Sequence, residues 1–334
     1  MKAVVLVGGF GTRLRPLTLT APKQMLPVVD RPMIEHVLSG LSLHGVDAAV
    51  LSLGYREDVF RAAYPDGRCA GVALHYAVEP EPLDTAGAIR FAATAAGLDE
   101  TFVVVNGDVM TDVDVTEIWD RHHDVGAEAT ISLTPVDDPS RYGVVPTDQE
   151  GRVLGFVEKP PTGEAPTNWI NAGTYVMEPS VLDRIDADRR VSVERETFPA
   201  IVADGRLWAV KSDAYWVDAG TPRTYLQVQL DLLDGIRGPA SPGVDPRAEI
   251  ATDAVAERSV VMAGVRLESG SVVRNSAVQV GARISADAIV EDSLVGPGAV
   301  IGAGARVTDA SVIGADAVVA DGLDLRDARL PDSP

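Results

Sequence analysis

The chain has 334 residues, of which 49 are acidic and 29 basic, and its formal net charge is −20. This length predicts about two domains, and the charge argues against nucleic acid or an anionic membrane surface as a partner. No run of about 20 apolar residues is present, so no membrane span is predicted. One cysteine, Cys69, allows no internal disulfide, which favours a reducing, cytoplasmic location.

Short apolar runs alternate with segments of helical spacing over the first third of the chain. The apolar runs predict strands covered on both faces, and the segments between them predict helices. This βαβαβαβ order predicts an α/β fold with a Rossmann-like mixed, mostly parallel sheet that binds ligands at the carboxyl ends of its strands. The predicted strands are residues 2–7, 48–53, 72–78 and 101–106, and the predicted helices are residues 32–44, 56–63 and 85–96.

An aliphatic residue recurs every six positions near the end of the chain, with two slips of one residue. This spacing predicts a parallel β-helix built from hexapeptide repeats, and it disfavours the alternative of an ordinary β-sandwich. The recurring residues are Val255, Val261, Leu267, Val273, Val278, Ile284, Val290, Val295, Ile301, Val307, Ile313 and Val319. The predicted organisation is a first domain, a linker rich in glycine and proline, the β-helix and a tail, at residues 1–235, 236–248, 249–320 and 321–334.

A glycine-rich loop that also carries cations follows the first predicted strand. Three glycines allow backbone N–H groups to approach an anion closely, and three basic residues lie in the same loop region. In a protein of charge −20, this local reversal of charge favours a triphosphate site, although the Walker and dinucleotide-binding glycine patterns are absent. These loop residues are Gly8, Gly9, Gly11, Arg13, Arg15 and Lys23.

The segment from Gly8 to Pro27 resembles the signature of the sugar-1-phosphate nucleotidyltransferases, also called NDP-sugar pyrophosphorylases. Within this family, Pro82 to Gly87 and the attached hexapeptide domain are most similar to the mannose-1-phosphate guanylyltransferases, although Asp84 stands where their loop usually has glycine. The resemblance implies that the β-helix is left-handed. Further matching blocks, in the family's order, are Pro32–His36, Glu81–Gly87, Asn106–Asp108, Tyr142–Val145, Phe156–Pro160, Asn171–Gly173 and Trp216–Pro222.

The implied reaction is nucleotidyl transfer from an NTP to a sugar 1-phosphate, which yields an NDP-sugar and pyrophosphate. GTP and mannose 1-phosphate, giving GDP-mannose, are the favoured pair. The alternative within the class is glucose 1-phosphate, or a sugar-like cyclitol phosphate, with UTP, dTTP or ATP. Two alternatives from other functional classes are a non-catalytic regulatory subunit of such an enzyme and a scaffold. The first is disfavoured because the family's catalytic residues are all present.

The resemblance also implies roles for particular residues. Asp108 and Asp218, both in glycine-containing turns, would bind one Mg²⁺, which prefers one or two carboxylates together with phosphates and water. Arg15 and Lys23 would act with them as catalytic residues on the reacting phosphates. Nucleotide contacts are implied for Leu6, Gly8, Gly9, Gly11, Thr12, Arg13, Lys23, Glu79, Gly87 and Asp108, and sugar-phosphate contacts for Gly143, Glu158, Lys159, Asn171 and Gly173.

The positions of the histidines bear on acyl-transfer and metal chemistry, and the ends of the predicted β-helix bear on assembly. All five histidines precede residue 124, so the repeat domain lacks the general base that acyltransferases of this architecture commonly use. Adjacent His122 and His123 predict a solvated helix end rather than a metal pair, because neighbouring residues on a helix point in different directions. The unpaired coil ends and aliphatic face of a β-helix predict a homo-oligomer, a dimer or a tetramer.

Overall fold

The computed structural model describes residues 1–187 and 189–332. Contacts within the chain divide it into two compact units. Met1–Gly9 and Ile34–Trp216 form the first unit, and Phe10–Met33 and Val217–Pro334 form the second. In these described ranges, no helix is both long enough and apolar enough to cross a membrane.

Strands and helices alternate up to α4, largely as the apolar spacing predicts, and four strands then follow before the next α-helix. The strands are β1 (Lys2–Leu6), β2 (Pro27–Val28), β3 (Arg31–Pro32), β4 (Ala48–Leu53), β5 (Arg68–Cys69), β6 (Val72–Val78), β7 (Phe102–Asn106), β8 (Val109–Thr111), β9 (Ala129–Pro135), β10 (Gly143–Val144), β11 (Val157–Glu158), β12 (Trp169–Met177), β13 (Leu207–Lys211) and β14 (Trp216–Asp218). The α-helices are α1 (Met33–Leu43), α2 (Glu57–Ala63), α3 (Asp84–Ala95), α4 (Val115–Val125), α5 (Phe198–Ala203) and α6 (Pro222–Leu233).

The first unit is organised around a mixed sheet of ten strands in the order β11-β10-β12-β7-β1-β4-β6-β5, with β9 between β12 and β13. Its centre is parallel, and Val4 of β1 pairs with Val50 of β4 and with Val104 of β7. Antiparallel strands lie on both sides, since β12 runs against β7 and β5 runs against β6. The predicted mixed α/β sheet is therefore confirmed, and the strands flanking β1 end at one edge.

Helix α3 packs on this sheet through small residues. Ala86, Ile89 and Ala93 are fully buried in the core of the first unit. Short side chains let the helix approach the strands closely, so α3 has a well-defined position relative to the sheet. The loop that precedes α3 is consequently anchored to the carboxyl ends of the strands.

His122 is buried in the first unit, and the prediction of a solvated helix end is wrong for it. Its Nδ1 lies 3.0 Å from Thr130 Oγ1 on β9, and its Nε2 lies 3.0 Å from Glu178 Oε1. A carboxylate only accepts, so Nε2 carries the proton and the threonine hydroxyl donates to Nδ1. His123 is exposed as expected. Helix α4 packs on β9 with the face that bears His122. The residues of α4 alone do not show which of its faces packs on the sheet.

The second unit contains the repeat domain, which forms three sheets of short parallel strands. Successive strands in each sheet are 17 or 18 residues apart, as in Val261, Val278, Val295 and Ile313. Three hexapeptides per coil with occasional slips of one produce this interval, which confirms the β-helix and is consistent with a left-handed one. The strands are β15 (Glu249–Ile250), β16 (Val255–Glu257), β17 (Val260–Val261), β18 (Arg266–Leu267), β19 (Val272–Arg274), β20 (Ala277–Val278), β21 (Arg283–Ile284), β22 (Ile289–Glu291), β23 (Leu294–Val295), β24 (Val300–Ile301), β25 (Arg306–Thr308), β26 (Val312–Ile313), β27 (Val318–Val319), β28 (Asp324–Arg326) and β29 (Arg329–Leu330).

The recurring aliphatic residues form the core of the β-helix, with one exception. Val255 is exposed, and Ala256 pairs with the buried Val273 in its place. The strand stacks also continue past residue 320 into the range predicted as a tail, because Leu325 pairs with Val307. Leu325 follows Val319 by six residues, so the repeat spacing itself extends that far. Residues 333 and 334 of the predicted tail lie outside the described residues.

Candidate active site

In the first unit, the site is built where β1, β4 and β7 end. Leu6 pairs with Ser52 on one side and with Asn106 on the other. The chain leaves the sheet directly after this point, and Gly8 and Gly9 follow. The predicted nucleotide contacts Leu6, Gly8 and Gly9 therefore lie at the carboxyl edge of the parallel strands, where α/β sheets bind ligands.

Gly8 lies against a buried carboxylate. A Cβ at this position would be 3.2 Å from Glu79 Oε1, tighter than ordinary van der Waals contact. Gly54 approaches from the other side, where a Cβ would be 2.7 Å from the carbonyl oxygen of Gly8. A side chain at residue 8 would crowd Glu79, so glycine keeps this face of the carboxylate open.

Glu79 follows directly after β6 and is 8% exposed. Its Oε1 accepts a hydrogen bond from the Ser52 hydroxyl at 3.0 Å, and its Oε2 accepts one from the Leu83 N–H at 3.1 Å. Each carboxylate oxygen thus has one protein donor and retains further acceptor capacity. The structure places Glu79 beside Gly8, as the family resemblance implies.

The predicted contact Gly87 lies inside the first turns of α3. Its N–H donates to the Val191 carbonyl oxygen at 3.2 Å, and a Cβ would be 2.8 Å from Leu83 Cβ. The backbone N–H of Gly87 is therefore already paired within the protein, and the glycine is required for close packing of the loop before α3. Asp84, the first residue of α3, adopts φ +62°, a left-handed conformation that favours glycine.

Asp108 is half-buried in the turn that follows β7. The preceding Gly107 donates its N–H to the Leu6 carbonyl oxygen at 2.9 Å, and a Cβ there would be 2.7 Å from Val7 Cγ1. Only glycine fits this close approach to β1. The Asn106-Gly107-Asp108 turn is therefore held at the sheet edge, which positions the Asp108 carboxylate beyond the strand end.

Two predicted sugar-phosphate contacts, Gly143 and Glu158, lie opposite each other on β10 and β11. A Cβ at Gly143 would be 2.5 Å from the Phe156 ring and 3.2 Å from Glu158 Oε2, so a side chain is excluded. Lys159 Nζ lies 3.3 Å from Glu158 Oε1, and Lys159 has φ +48°. A lysine in this strained conformation is unusual, and such strain is concentrated at functional sites.

Asn171 and Gly173 occupy an irregular part of β12, where the register with β9 shifts. Asn171 donates from Nδ2 to the Tyr175 hydroxyl at 2.8 Å and accepts the Gly173 N–H on Oδ1 at 3.1 Å. Gly173 has φ +78°, and a Cβ would be 2.5 Å from Asn106 Nδ2. Burial raises the pKa of Tyr175, so its hydroxyl stays protonated and holds Asn171 in place.

In the second unit, the rest of the glycine-rich loop folds into short 3₁₀ turns. Gly11 has φ +61°, and its carbonyl oxygen accepts the Leu14 N–H at 2.9 Å and the Thr18 hydroxyl at 2.8 Å. A Cβ at Gly11 would lie 3.2 Å from Lys23 Cβ. The loop therefore packs against the stem of Lys23. Thr12 is exposed, and Arg15 and Lys23 are half-buried.

Arg13 and Asp218 come together in the second unit. Arg13 Nη2 is 3.9 Å from Asp218 Oδ2, and Asp218 Oδ1 accepts the Gly220 N–H at 2.8 Å. A Cβ at Gly220 would be 2.6 Å from Arg13 Nη2. Because residue 220 is glycine, the Arg13 guanidinium and the Asp218 carboxylate can lie side by side.

The structure gathers the predicted residues within each unit, and it adds two that the sequence analysis did not assign. Ser52 and Asn106 contact predicted site residues from neighbouring strands. The sequence signal for Ser52 is a polar residue near the end of an apolar strand, which many strands have, whereas Asn106 also lies in the matching block Asn106–Asp108.

An α/β domain with these strand-end residues, followed by a β-helix, defines a nucleotidyltransferase architecture. The sequence pattern of the Nucleotidyl transferase family matches residues 2–235, and that of the GMPPB C-terminal domain matches residues 240–331. The chain belongs to the nucleotidyl transferase family, whose members generally use a divalent metal.

Individual relatives narrow the comparison. Mannose-1-phosphate guanylyltransferase of Mycobacterium tuberculosis is 42% identical over 299 residues, covering 81% of this chain and 82% of that protein. Mannose-1-phosphate guanyltransferase of Aspergillus oryzae is 46% identical over 230 residues, covering 68% of this chain and 62% of that protein. The crystal structure of HddC from Yersinia pseudotuberculosis complexed with GMP-PN has a TM-score of 0.58 and 29% identity, covering 68% of this chain and 97% of that chain.

Proposed function

We propose that this protein transfers GMP from GTP to mannose 1-phosphate, yielding GDP-mannose and pyrophosphate. The observation that carries the substrate pair is the similarity to mannose-1-phosphate guanylyltransferases, which extends over 81% of the chain for the mycobacterial relative. A phosphate oxygen of the sugar phosphate bonds to the α-phosphorus of GTP, while the bond from that phosphorus to the bridging oxygen of the β-phosphate breaks. Both reactants are anions, so catalysis depends on cations and positioning.

The triphosphate is bound by the glycine-rich loop. Gly11 and Thr12 offer backbone N–H groups, and Arg13 contributes an exposed guanidinium next to Asp218. Arg15 and Lys23 stabilise charge on the α-phosphate and on the leaving pyrophosphate. The packing of Gly11 against the Lys23 stem supports this assignment, since it couples the loop to the lysine.

The guanine base is read at Glu79. Guanine presents two adjacent donors, N1–H and N2–H, and a carboxylate offers two acceptor oxygens at a matching separation. Adenine presents an acceptor at the corresponding ring nitrogen, which a carboxylate repels. Burial of Glu79 and the open face at Gly8 support this role, with the backbone of Leu6 beside them.

The sugar 1-phosphate is bound at the antiparallel side of the sheet. Lys159 pairs with the phosphate, and Glu158 and Asn171 accept or donate hydrogen bonds with sugar hydroxyls. Gly143 and Gly173 let the backbone pack closely against Phe156, Glu158 and Asn106, where a Cβ would clash, and the sugar lies against this backbone in the proposed complex. Lys159 lies within 3.3 Å of Glu158, so the phosphate and hydroxyl contacts are adjacent.

Asp108 and Asp218 are the residues that would hold a Mg²⁺ ion. The donor chemistry fits, because Mg²⁺ prefers hard oxygen ligands and is commonly bound by one or two carboxylates together with substrate phosphates. Asp108 lies in the turn that follows β7, and Asp218 is the last residue of β14, where its Oδ1 accepts the Gly220 N–H. When bound, the ion neutralises phosphate charge and orients the triphosphate.

Location and assembly complete the proposal: the protein is a cytoplasmic homo-oligomer, a dimer or a tetramer. Cys69 is the single cysteine and is buried, and a chain without an internal disulfide supports a reducing compartment. Val318 and Leu323 near the end of the β-helix are exposed aliphatic side chains, which support packing against another copy. Light scattering coupled to gel filtration measures the assembly directly, and a monomer across the micromolar range would exclude this part.

The test of the proposed function is pyrophosphate release from GTP and mannose 1-phosphate with and without Mg²⁺. We expect turnover that needs the metal and falls by on the order of 10²-fold in Asp108→Asn and Asp218→Asn, because an amide oxygen is a weaker ligand. Asp124→Asn, at an exposed carboxylate on α4, is the matched control and should keep full turnover. The proposal would be overturned if the protein released no pyrophosphate from GTP and mannose 1-phosphate.

A further inference from the structure

Ser52 lies at the end of β4 and is fully buried, yet it has no place in the chemistry described so far. Its hydroxyl is 3.0 Å from Glu79 Oε1 and 3.3 Å from the Ala88 carbonyl oxygen. A hydroxyl has a single proton, and the closer, charged acceptor makes the stronger hydrogen bond. Ser52 is therefore a donor to the carboxylate that faces Gly8.

This donation fixes the orientation of the Glu79 carboxylate. The Ser52 hydroxyl holds Oε1, and the Leu83 N–H holds Oε2 at 3.1 Å from the opposite side. With one donor on each oxygen, rotation of the carboxylate plane would break at least one bond. Both donors belong to ordered elements, since Ser52 is part of the central sheet and Leu83 donates from the loop anchored by α3.

The Leu83 side of this clamp is itself anchored. The Leu83 carbonyl oxygen accepts the Val191 N–H at 3.1 Å, and the Val191 carbonyl oxygen accepts the Ala86 N–H at 2.9 Å. The loop thus does not depend on Ser52 for its position. Removal of the Ser52 hydroxyl should free one oxygen of Glu79 while the loop and the helix stay in place.

We infer that Ser52 is a positioning residue that sets the selectivity for guanine by aligning Glu79 with the two base donors. This inference rests on the proposed function, in which Glu79 reads the base. A carboxylate aligned in this way pairs with N1–H and N2–H together, whereas a rotated one pairs with a single donor. Selectivity over bases that lack one of these donors follows from the alignment, because an unpaired buried group penalises the wrong ligand.

The experiment measures kcat and KM for GTP, ITP and ATP in the wild type, Ser52→Ala and Glu79→Gln. ITP lacks the N2 amino group of GTP, so the preference for GTP over ITP measures the contact between Glu79 and N2–H. We expect Ser52→Ala to raise the KM for GTP about tenfold, the effect of losing one hydrogen bond to a charged group, and to narrow the preference for GTP over ITP. The kcat with GTP and the KM for mannose 1-phosphate should stay within about twofold, because the phosphates are bound elsewhere.

Ser132→Ala is the matched control. Ser132 is a buried strand serine of the same sheet, and its hydroxyl has no hydrogen-bond partner within the described residues. This variant should keep the wild-type preference for GTP over ITP and ATP. Melting temperatures of both serine variants check that neither has lost its fold.

Three outcomes separate this inference from the proposed function. Unchanged selectivity in Ser52→Ala, with selectivity lost in Glu79→Gln, would refute the role of Ser52 and leave guanine readout intact. Unchanged selectivity in both variants would refute readout by Glu79 as well. A wild type that prefers another NTP would refute the proposed substrate pair.

Discussion

Asp84 has φ +62° at the start of α3, next to the loop that carries Leu83. The mannose-1-phosphate guanylyltransferase pattern has glycine at this position, and the structure explains why: the conformation is left-handed. The aspartate accepts the neighbouring Thr85 N–H on Oδ1 at 2.9 Å, a local bond that makes this conformation tolerable for a non-glycine residue. The departure from the family pattern therefore places a Cβ at a left-handed position.

Asp84→Gly should raise the free energy of unfolding by about 0.5–1 kcal/mol. Glycine removes the cost of the left-handed conformation, and the greater entropy of glycine in the unfolded chain cancels part of this gain. Chemical denaturation measures the change in the free energy of unfolding. Asp84→Ala is the control, because alanine keeps the Cβ and removes the carboxylate. A glycine variant no more stable than the alanine variant would show that backbone strain is not the cause.

Lys23 and Lys159 are two of only four lysines in the chain, and both lie in segments that resemble phosphate-binding blocks. Lys23→Ala and Lys159→Ala should fold normally and lose about 10²- to 10³-fold in turnover, the typical effect of removing one preorganised charge at a reacting centre. Lys211→Ala is the control, because Lys211 is an exposed lysine of β13 whose Nζ lies 5.5 Å from the centre of the Trp169 ring. Near-normal turnover in either site variant would show that its lysine does not act on phosphate.

Burial lowers the pKa of His122 from its ordinary value of 6.5. The unfolded chain then binds a proton more readily than the folded chain, so the free energy of unfolding should fall as the pH drops below about 6.5. His122→Gln should flatten this dependence between pH 7 and pH 5, measured by urea denaturation at each pH. His123→Gln, at the exposed neighbour, should retain the wild-type slope; equal slopes in all three proteins would contradict the buried neutral histidine.

At the scale of elements, the residues of a strand predict where it begins and ends more reliably than they predict which residues it meets on neighbouring strands. The predicted strands at residues 48–53 and 72–78 form with those bounds, because each is a mostly apolar run. The contact between Ser52 and Glu79 could not be predicted, since it depends on which residues of β4 and β6 meet. The exposure of Val255 is a similar case, because one residue of slip decides which side chain points inward.

Within the β-helix, buried serines link successive coils. The Ser276 hydroxyl donates to the Arg274 carbonyl oxygen at 2.6 Å and accepts the buried Ser293 N–H at 3.1 Å. The serines at equivalent turns are Ser259, Ser276, Ser293 and Ser311. This ladder satisfies backbone groups that the short strands leave unpaired.

Ser276→Ala should lower the free energy of unfolding of the β-helix by about 1–3 kcal/mol, because a buried N–H loses its acceptor. Denaturation followed by circular dichroism measures this change. Ser269→Ala is the control, since its exposed hydroxyl donates to the Asp253 carboxylate at 2.7 Å on the surface. Equal stability of the two variants would mean that the serine ladder does not hold the coils together.

At the scale of the whole molecule, the net charge is −20, and the proposed function assigns the binding of small anionic substrates to four cations, Arg13, Arg15, Lys23 and Lys159. The mixed sheet and the β-helix were predictable, because strand runs and six-residue spacing are local patterns. The site was predictable only through its resemblance to a family, since Asp108 and Asp218 are 110 positions apart in sequence and neither is distinctive by itself. The choice of base and sugar depends on the orientation of a few side chains, which no local pattern encodes.

The central claim is tested most directly by a single competition reaction. GTP, ATP, UTP, dTTP and CTP are supplied at equal concentration with mannose 1-phosphate and glucose 1-phosphate in the presence of Mg²⁺, and the products are identified by mass spectrometry at low conversion. The expected result is GDP-mannose as the dominant NDP-sugar, formed together with an equal amount of pyrophosphate. Dominance of any other NDP-sugar would contradict the guanine and mannose assignment, and no NDP-sugar at all would contradict the enzyme itself.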